Sequence, residues 1–267
     1  MILLAVDGAA ATPFRDDRSN LLGKVVDGRY HVLTRIGGGG TGIVFEAACL
    51  RTGENVALKT LRPSLNLHVD LATRLRREVE VSRRVQHPGL VRFTAEGTLP
   101  DGSPYLVMPL LRGESLAQLL LRQGELSSAA VLMLAGRVSS ILHSSHTAGY
   151  VHRDIKPEHI HFTRTPRDEL RLHLLDFGVC WSAFAADEEK RREAGRVFGT
   201  PRYVSPEQAS GEVHLDGRAD LFGLGVVMFE ALAGCVPFSA PNVARLLLRI
   251  VRDDAPRVRD FRDVPAH

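Results

Sequence analysis

The sequence predicts an α+β chain in two parts: an antiparallel five-stranded sheet with one main helix, then a mostly helical part. Three observations carry this. From Tyr30 to about Leu111 apolar residues alternate in short runs broken by glycine-bearing turns, the pattern of an antiparallel meander. Within that stretch about His68–Gln86 departs, because Leu71, Leu75, Val79 and Val85 recur at helical spacing. Beyond Arg112-Gly113 the apolar period becomes helical almost throughout.

Taken in order, residues 1–22 lack any period and mix Ala, Thr, Pro, Asp, Arg and Ser, which reads as a flexible leader. His31–Ile36 is a short strand running into Gly37–Gly40, and Ile43–Ala47 is the next. Arg51-Thr52-Gly53-Glu54 turns the chain into Asn55–Lys59. After the helix, His87-Pro88-Gly89 is a stop signal. Leu90–Glu96 and Tyr105–Leu110 are two more strands, joined by the turn at Pro100–Pro104. The sheet part is therefore 23–111 and the helical part 112–267. In the latter, Leu116–Arg122 is a short helix. Ser127 or Ser128 caps a long one carrying Val131, Leu134, Val138, Ile141 and Leu142 on one face. Ile160–Phe162 and Leu170–Leu175 form a hairpin turned by Arg164–Asp168. Asp220–Ala233 is apolar nearly all round, through Leu221, Leu224, Val226, Val227, Phe229 and Leu232, and should be a buried post. Val243–Val251 is a last amphipathic helix.

Bulk properties exclude several classes. The chain is 44% hydrophobic and 24% charged, an ordinary globular balance, and its net charge of +3 is too small to argue for nucleic acid. The Arg-rich positions Arg74–Arg77 and Arg83-Arg84 sit at helical spacing as a solvated face. Cys49, Cys180 and Cys235 lie far apart, which suits reduced thiols in the cytoplasm rather than a disulfide framework or zinc site. Met1–Val6 is apolar but too short for a membrane span or signal core, and no later run spans without charge or glycine.

The chemistry gathers in Val151-His152-Arg153-Asp154-Ile155-Lys156-Pro157-Glu158-His159-Ile160, a polar loop between apolar segments. A carboxylate beside a Lys is what phosphoryl transfer asks of a protein: one group to face a hydroxyl, one to hold a phosphate. Gly37–Val44 fits G-x-G-x-x-G-x-V, in which glycines let backbone N–H groups approach phosphate oxygens. It lies between two strands, which excludes the dinucleotide fingerprint, whose glycines open a helix. Val56-Ala57-Leu58-Lys59 ends a strand in Lys, and Asp176-Phe177-Gly178 follows a strand-like run. Each piece alone matches many proteins. Together with Gly199-Thr200-Pro201-Arg202-Tyr203, Ser205-Pro206-Glu207 and Asp220, in this order from about Tyr30 to Phe238, they resemble the eukaryotic-type (Hanks-type) serine/threonine protein kinases, in a bacterial-like form.

The resemblance implies a bilobal kinase fold over about 30–267 and transfer of the ATP γ-phosphate to Ser/Thr hydroxyls of protein substrates. Asp154 would orient the hydroxyl and accept its proton, with Lys156 on the γ-phosphate and Thr200 in the substrate pocket. Ile36, Gly37, Gly39, Gly42 and Val44 would cap ATP, and Ala57 would line its pocket. Lys59 would reach the α- and β-phosphates while paired with Glu78 rather than Glu80, which lies roughly 200° away round the helix. Met108, Pro109 and Leu111 would meet adenine from one side and His161 from the other. Asp176 would hold Mg²⁺ (or Mn²⁺), and Asp220 would hold the catalytic-loop backbone.

Two positions depart from the family pattern. His159 replaces the Asn that gives a second metal ligand, which should weaken that site, since Mg²⁺ prefers oxygen donors. His161 stands where an apolar residue packs under adenine. Both feed the alternative of a pseudokinase acting as a nucleotide-binding, scaffold or allosteric module. A zinc site from His152, His159 and His161 lacks a fourth ligand, and a small-molecule phosphotransferase is disfavoured by the intact Thr200–Glu207 segment. An acid among Asp187, Glu188, Glu189 and Glu193 is expected to pair with Arg153 in place of a phosphate. The family's helical lobe continues beyond the equivalent of Val264–His267, bringing an Arg to the match of Glu207. An incomplete lobe would leave an apolar patch for a partner.

Overall fold

A computed structural model describes residues 17–38, 42–61, 69–165, 167–185, 195–212 and 214–263. The loop tip Gly39–Thr41, the acids Asp187–Glu193, the side chain of Leu71, most of the expected leader and the end at Val264–His267 lie outside them. The described residues divide into two compact units, one holding those from Asp17 to Arg84 with Val91–Arg112, the other Val85–Leu90 with those from Gly113 onward.

The first unit is an antiparallel sheet. Its strands are β1 (Val25–Val26), β2 (Tyr30–Gly38), β3 (Gly42–Cys49), β4 (Asn55–Leu61), β5 (Ala95–Thr98) and β6 (Pro104–Pro109), ordered β1-β2-β3-β4-β6-β5, with helix α1 (Val69–Arg84) between β4 and β5. Alternation sorts side chains onto two faces. Val32, Ile43, Phe45, Ala47, Leu58, Tyr105 and Val107 form one core, and Leu61 and Leu106 pack with Leu75 and Val79 of α1 on the other. The five expected strands are present, with the two-residue β1 added at the edge.

Two expectations shift. The leader ends before residue 22, because Asp17–Leu21 is a 3-10 turn fastened to the sheet. Arg18, 3% exposed, donates to the Leu61 carbonyl at 3.0 Å and to Ser103 Oγ, and pairs with Asp101 at 3.0 Å, while Leu21 joins the core. The strand expected over Leu90–Glu96 begins only at Ala95. Leu90 belongs to the other unit, where it bridges Leu174, and the strand then runs through Gly97. A Cβ at Gly97 would stand 2.5–2.6 Å from the ring of Tyr105 opposite, so the glycine is what admits that ring.

The second unit is mainly helical, with α2 (Leu116–Gln123), α3 (Ser128–Thr147), the short α4 (Pro206–Ala209), α5 (Gly217–Ala233) and α6 (Val243–Arg252). Their starts are written in the sequence. Ser115 and Gln118 form a capping box on α2, and Ser127 Oγ, Asp216 and Asn242 accept backbone N–H groups at the starts of α3, α5 and α6. The α3 face Val131, Leu134, Val138, Ile141 and Leu142 is buried, each side chain contributing about 1.5–3 kcal/mol. Helix α5 is less of a post than expected: Leu221 is 53% exposed, while Asp220, Leu224, Val226, Val227 and Phe229 are buried. Short strands complete the unit. β7 (Gly113–Ser115) joins the hairpin β9 (Ile160–Arg164) and β10 (Leu170–Leu174), and β8 (Tyr150–Val151) pairs β11 (Trp181–Ser182). Among the described residues no helix is long and apolar enough to cross a membrane.

Candidate active site

In the sheet unit, the registers Val44↔Lys59, Lys59↔Leu106 and Ala57↔Met108 put Val44, Ala57, Lys59 and Met108 on one face, that of Leu61 and Leu106. Lys59 Nζ donates to both carboxylate oxygens of Glu78, at 2.7 and 2.9 Å, with Glu78 buried on α1. Glu80 turns away and pairs with Arg84 at 3.3 Å on the exposed side. The helix period keeps the two acids apart, since residues two apart cannot share a face. Gly37 pairs with Val44 across β2–β3. A Cβ on Gly42 would stand 3.0 Å from the Thr60 carbonyl, so that glycine is needed for close strand packing. Ile36 is 46% exposed on β2, Pro109 closes β6 opposite Val56, and Leu111 follows, partly buried. Gly39 is outside the described residues.

In the helical unit, Asp220 organises the polar loop. Only 1% exposed at the start of α5, it accepts the His152 N–H and the Arg153 N–H, each at 2.8 Å, and lies 2.7 Å from His146 Nε2. These bonds hold Arg153 at φ 67, a left-handed conformation that costs a residue with a side chain about 1–3 kcal/mol. Gln208 closes the other side, its amide donating to the Arg153 carbonyl at 2.8 Å and the Phe198 carbonyl at 3.0 Å. Arg153 Nε donates to the Val179 carbonyl at 2.6 Å, and its guanidinium lies 4.6 Å from the Phe198 ring centroid. The acids expected beside Arg153 are not among the described residues.

On this frame Asp154, Lys156 and Thr200 form a closed triangle. Asp154 Oδ1 accepts from both the backbone N–H and the hydroxyl of Thr200, each at 2.8 Å. Lys156 Nζ bridges Asp154 Oδ2 and Thr200 Oγ1, again at 2.8 Å each. Burial pushes the Asp154 carboxyl up, but the neighbouring His159 ring, the Lys156 charge and the bonds from Lys156 and Thr200 outweigh it and hold it below the usual range. Gly199 permits the approach: at φ 103 a Cβ there would meet the Arg153 carbonyl at 2.5 Å.

His159 ends the loop between two acids. Its Nδ1 lies 2.9 Å from the Asp154 carbonyl, and its Nε2 3.6 Å from Asp176 Oδ2. Burial pushes its imidazole down, against the pull of Asp154 and Asp176. Asp176 is itself left-handed at φ 66 and accepts the Gly178 N–H at 3.3 Å. His161 sits on β9 between Ser115 and His173. His152 is used up structurally, accepting the Asp154 N–H at Nδ1, lying 3.1 Å from the Leu175 carbonyl at Nε2, and stacking edge-on with Phe177. Among the described residues no three His, Cys, Asp or Glu side chains could hold a metal by themselves.

Sequence reasoning missed Gln208, His146 and the bond from Tyr203 to Glu230 at 2.7 Å. Gln208 carried a signal, since Ser205-Pro206-Glu207-Gln208 has the spacing of a capping box. His146 and Glu230 meet partners far away in the chain and carried none.

The family model described as protein kinase domain matches residues 30–262. Serine/threonine-protein kinase pkn3 of Myxococcus xanthus is 33% identical over 241 residues, covering 90% of this chain and 44% of its own length. Serine/threonine-protein kinase pkn2 of the same organism is 36% identical over 217 residues, 81% of this chain and 26% of its own. Serine/threonine-protein kinase PknA of Mycobacterium tuberculosis is 32% identical over 243 residues, 88% of this chain and 54% of its own. The chain thus spans about half the length of these relatives or less. Motif order, loop geometry and these likenesses agree: the chain belongs to the protein kinase domain family, among the bacterial Hanks-type serine/threonine kinases.

Proposed function

We propose that the chain transfers the γ-phosphoryl group of ATP to Ser or Thr hydroxyls of protein substrates. The observation that carries this is the Asp154–Lys156–Thr200 triangle on a loop fixed by Asp220. Asp154 stays ionised and orients the incoming hydroxyl. Its low basicity means that it takes the proton late, as the new O–P bond forms. Lys156 steadies the transferred phosphoryl group, and Thr200 fixes the carboxylate and lines the substrate pocket. Lys59, oriented by Glu78, binds the α- and β-phosphates. The glycines about Gly37, Gly39 and Gly42, with Ile36, Val44 and Ala57, cap the nucleotide. Met108, Pro109, Leu111 and His161 serve adenine.

The donors present fit a divalent cation only in part: the Asp176 carboxylate and His159 would hold it, with phosphate oxygens and water needed to complete its shell. The chemistry it would supply there is neutralisation of charge on the phosphates. A cytoplasmic signalling role belongs to the same reading, supported by three free cysteines. The exposed Leu221, Leu248 and Val251 suit a partner or further chain on the helical unit.

The test is transfer of label from ATP to a generic protein, with Asp154→Asn beside the parent. The parent should exceed the variant by about 10²–10⁴-fold. Equal background in both would leave the nucleotide-binding, non-catalytic reading in its place.

A further inference from the structure

His159 is the one member of the loop whose chemistry the family pattern does not explain. Its Nδ1 faces oxygens only, the Asp154 carbonyl at 2.9 Å and Asp154 Oδ2 at 3.6 Å. A carbonyl oxygen can only accept, so Nδ1 carries the proton. With Nδ1 so engaged, Nε2 is the ring nitrogen whose lone pair is available to a cation. That lone pair faces Asp176 Oδ2 at 3.6 Å, too far for a hydrogen bond and with no proton between them. Two electron-rich atoms confronting each other with 12% and 36% side-chain exposure are suited to share a cation. Two donors each bound at ~2.1 Å to one ion lie between ~3 and ~4.2 Å apart, and the observed separation falls within that span. The bond from Nδ1 to a backbone carbonyl is also the usual way a protein orients a metal-binding imidazole.

We infer that His159 Nε2 and Asp176 form a mixed nitrogen–carboxylate seat, completed by nucleotide phosphates, that takes a nitrogen-accepting divalent cation of the Mn²⁺ class in preference to Mg²⁺. The substitution of His for Asn thus changes which ion the loop selects. Mg²⁺ gives up water reluctantly and only for oxygen, whereas first-row transition ions accept imidazole beside oxygen ligands. Without nucleotide the seat has too few ligands to close, in keeping with the lack of any three-donor cluster among the described residues.

This rests on the nucleotide-binding reading above, and one set of measurements separates the two. Protein labelled with ¹⁵N-histidine is mixed with Mn²⁺ and β,γ-methylene ATP, which has no bridging nitrogen, and pulsed EPR records nuclei coupled to the bound ion. A directly coordinated ¹⁵N is expected in the parent and absent from His159→Asn. Calorimetry of the same nucleotide with Mn²⁺ and with Mg²⁺ should show Mn²⁺ favoured by about tenfold more in the parent than in the variant. Tight nucleotide binding with no coupled ¹⁵N in the parent would overturn this inference alone, whatever the variant does. No nucleotide binding with either ion would overturn both readings.

Discussion

Asp220→Asn isolates what holds the polar loop in shape. The parent carboxylate receives three groups at 2.7–2.8 Å: two consecutive backbone N–H groups and the His146 ring. An amide of the same size keeps one acceptor oxygen and places an NH₂ where the other stood. His146 can change tautomer to receive that NH₂, but the backbone N–H it faces cannot. One buried, charge-assisted hydrogen bond is therefore lost and its donor stranded, at a cost of about 1.5–3 kcal/mol. For a chain of this size each kcal/mol moves Tm by ~2–4 °C, so a fall of roughly 3–12 °C is expected. The damage should be local as well. Amide hydrogen exchange at His152 and Arg153 should accelerate more than at the buried α3 positions Val138 and Ile141, because Arg153 is released from its left-handed turn. Phosphotransfer should fall with it, since Asp154 is the next residue. A variant within about 0.5 kcal/mol of the parent, with His152 and Arg153 still protected, would refute the claim that Asp220 carries the loop.

Two other substitutions test neighbouring pieces. Gly199→Ala must move the Arg153 carbonyl or abandon φ 103, at about 1–3 kcal/mol of strain, so a folded variant should bind nucleotide as the parent does yet transfer phosphate poorly; parent-like transfer would contradict it. Glu230 is raised by burial, against the Tyr203 bond and with the Glu158 charge adding to it. Its folded form therefore holds the proton more tightly, and this stability is present at acid pH and lost as pH rises through the raised value. Glu230→Gln still accepts from Tyr203 and does not titrate. Its Tm advantage over the parent should widen from pH 4 toward pH 7, and a pH-independent gap would speak against a buried charge there.

Much of the fold was legible because it follows local rules. The α3 stripe, the cap at Ser127 (one of the two serines that the sequence offered) and the β9–β10 hairpin come from period and turn chemistry. What stayed hidden was set by distant partners. β1, β7, β8 and β11 are two or three residues long, too short to show a period, and exist because another strand offers its backbone. Arg18 looked like part of a polar leader, yet it is buried because Leu61, Ser103 and Asp101 supply its acceptors. The strand expected to end at Glu96 continues through Gly97, where the missing side chain leaves space for Tyr105.

For the candidate site, motif order named the residues, and only geometry says which of them stand together. The choice of Glu78 came from the resemblance, and the helix period added only that Glu80 could not face Lys59 as well. The role of His159 could not be reached that way. Imidazole in place of an amide reads as a weakened metal ligand, since sequence alone does not say which ring nitrogen is free. The Asp154 carbonyl answers this by occupying Nδ1, which leaves Nε2 facing Asp176. The same residue that argues from sequence for a silent domain therefore argues from structure for a site with a different metal preference. A weakened site loses affinity for every cation, whereas a nitrogen seat loses Mg²⁺ and keeps Mn²⁺, so a comparison of the two ions on the unmodified protein decides between them.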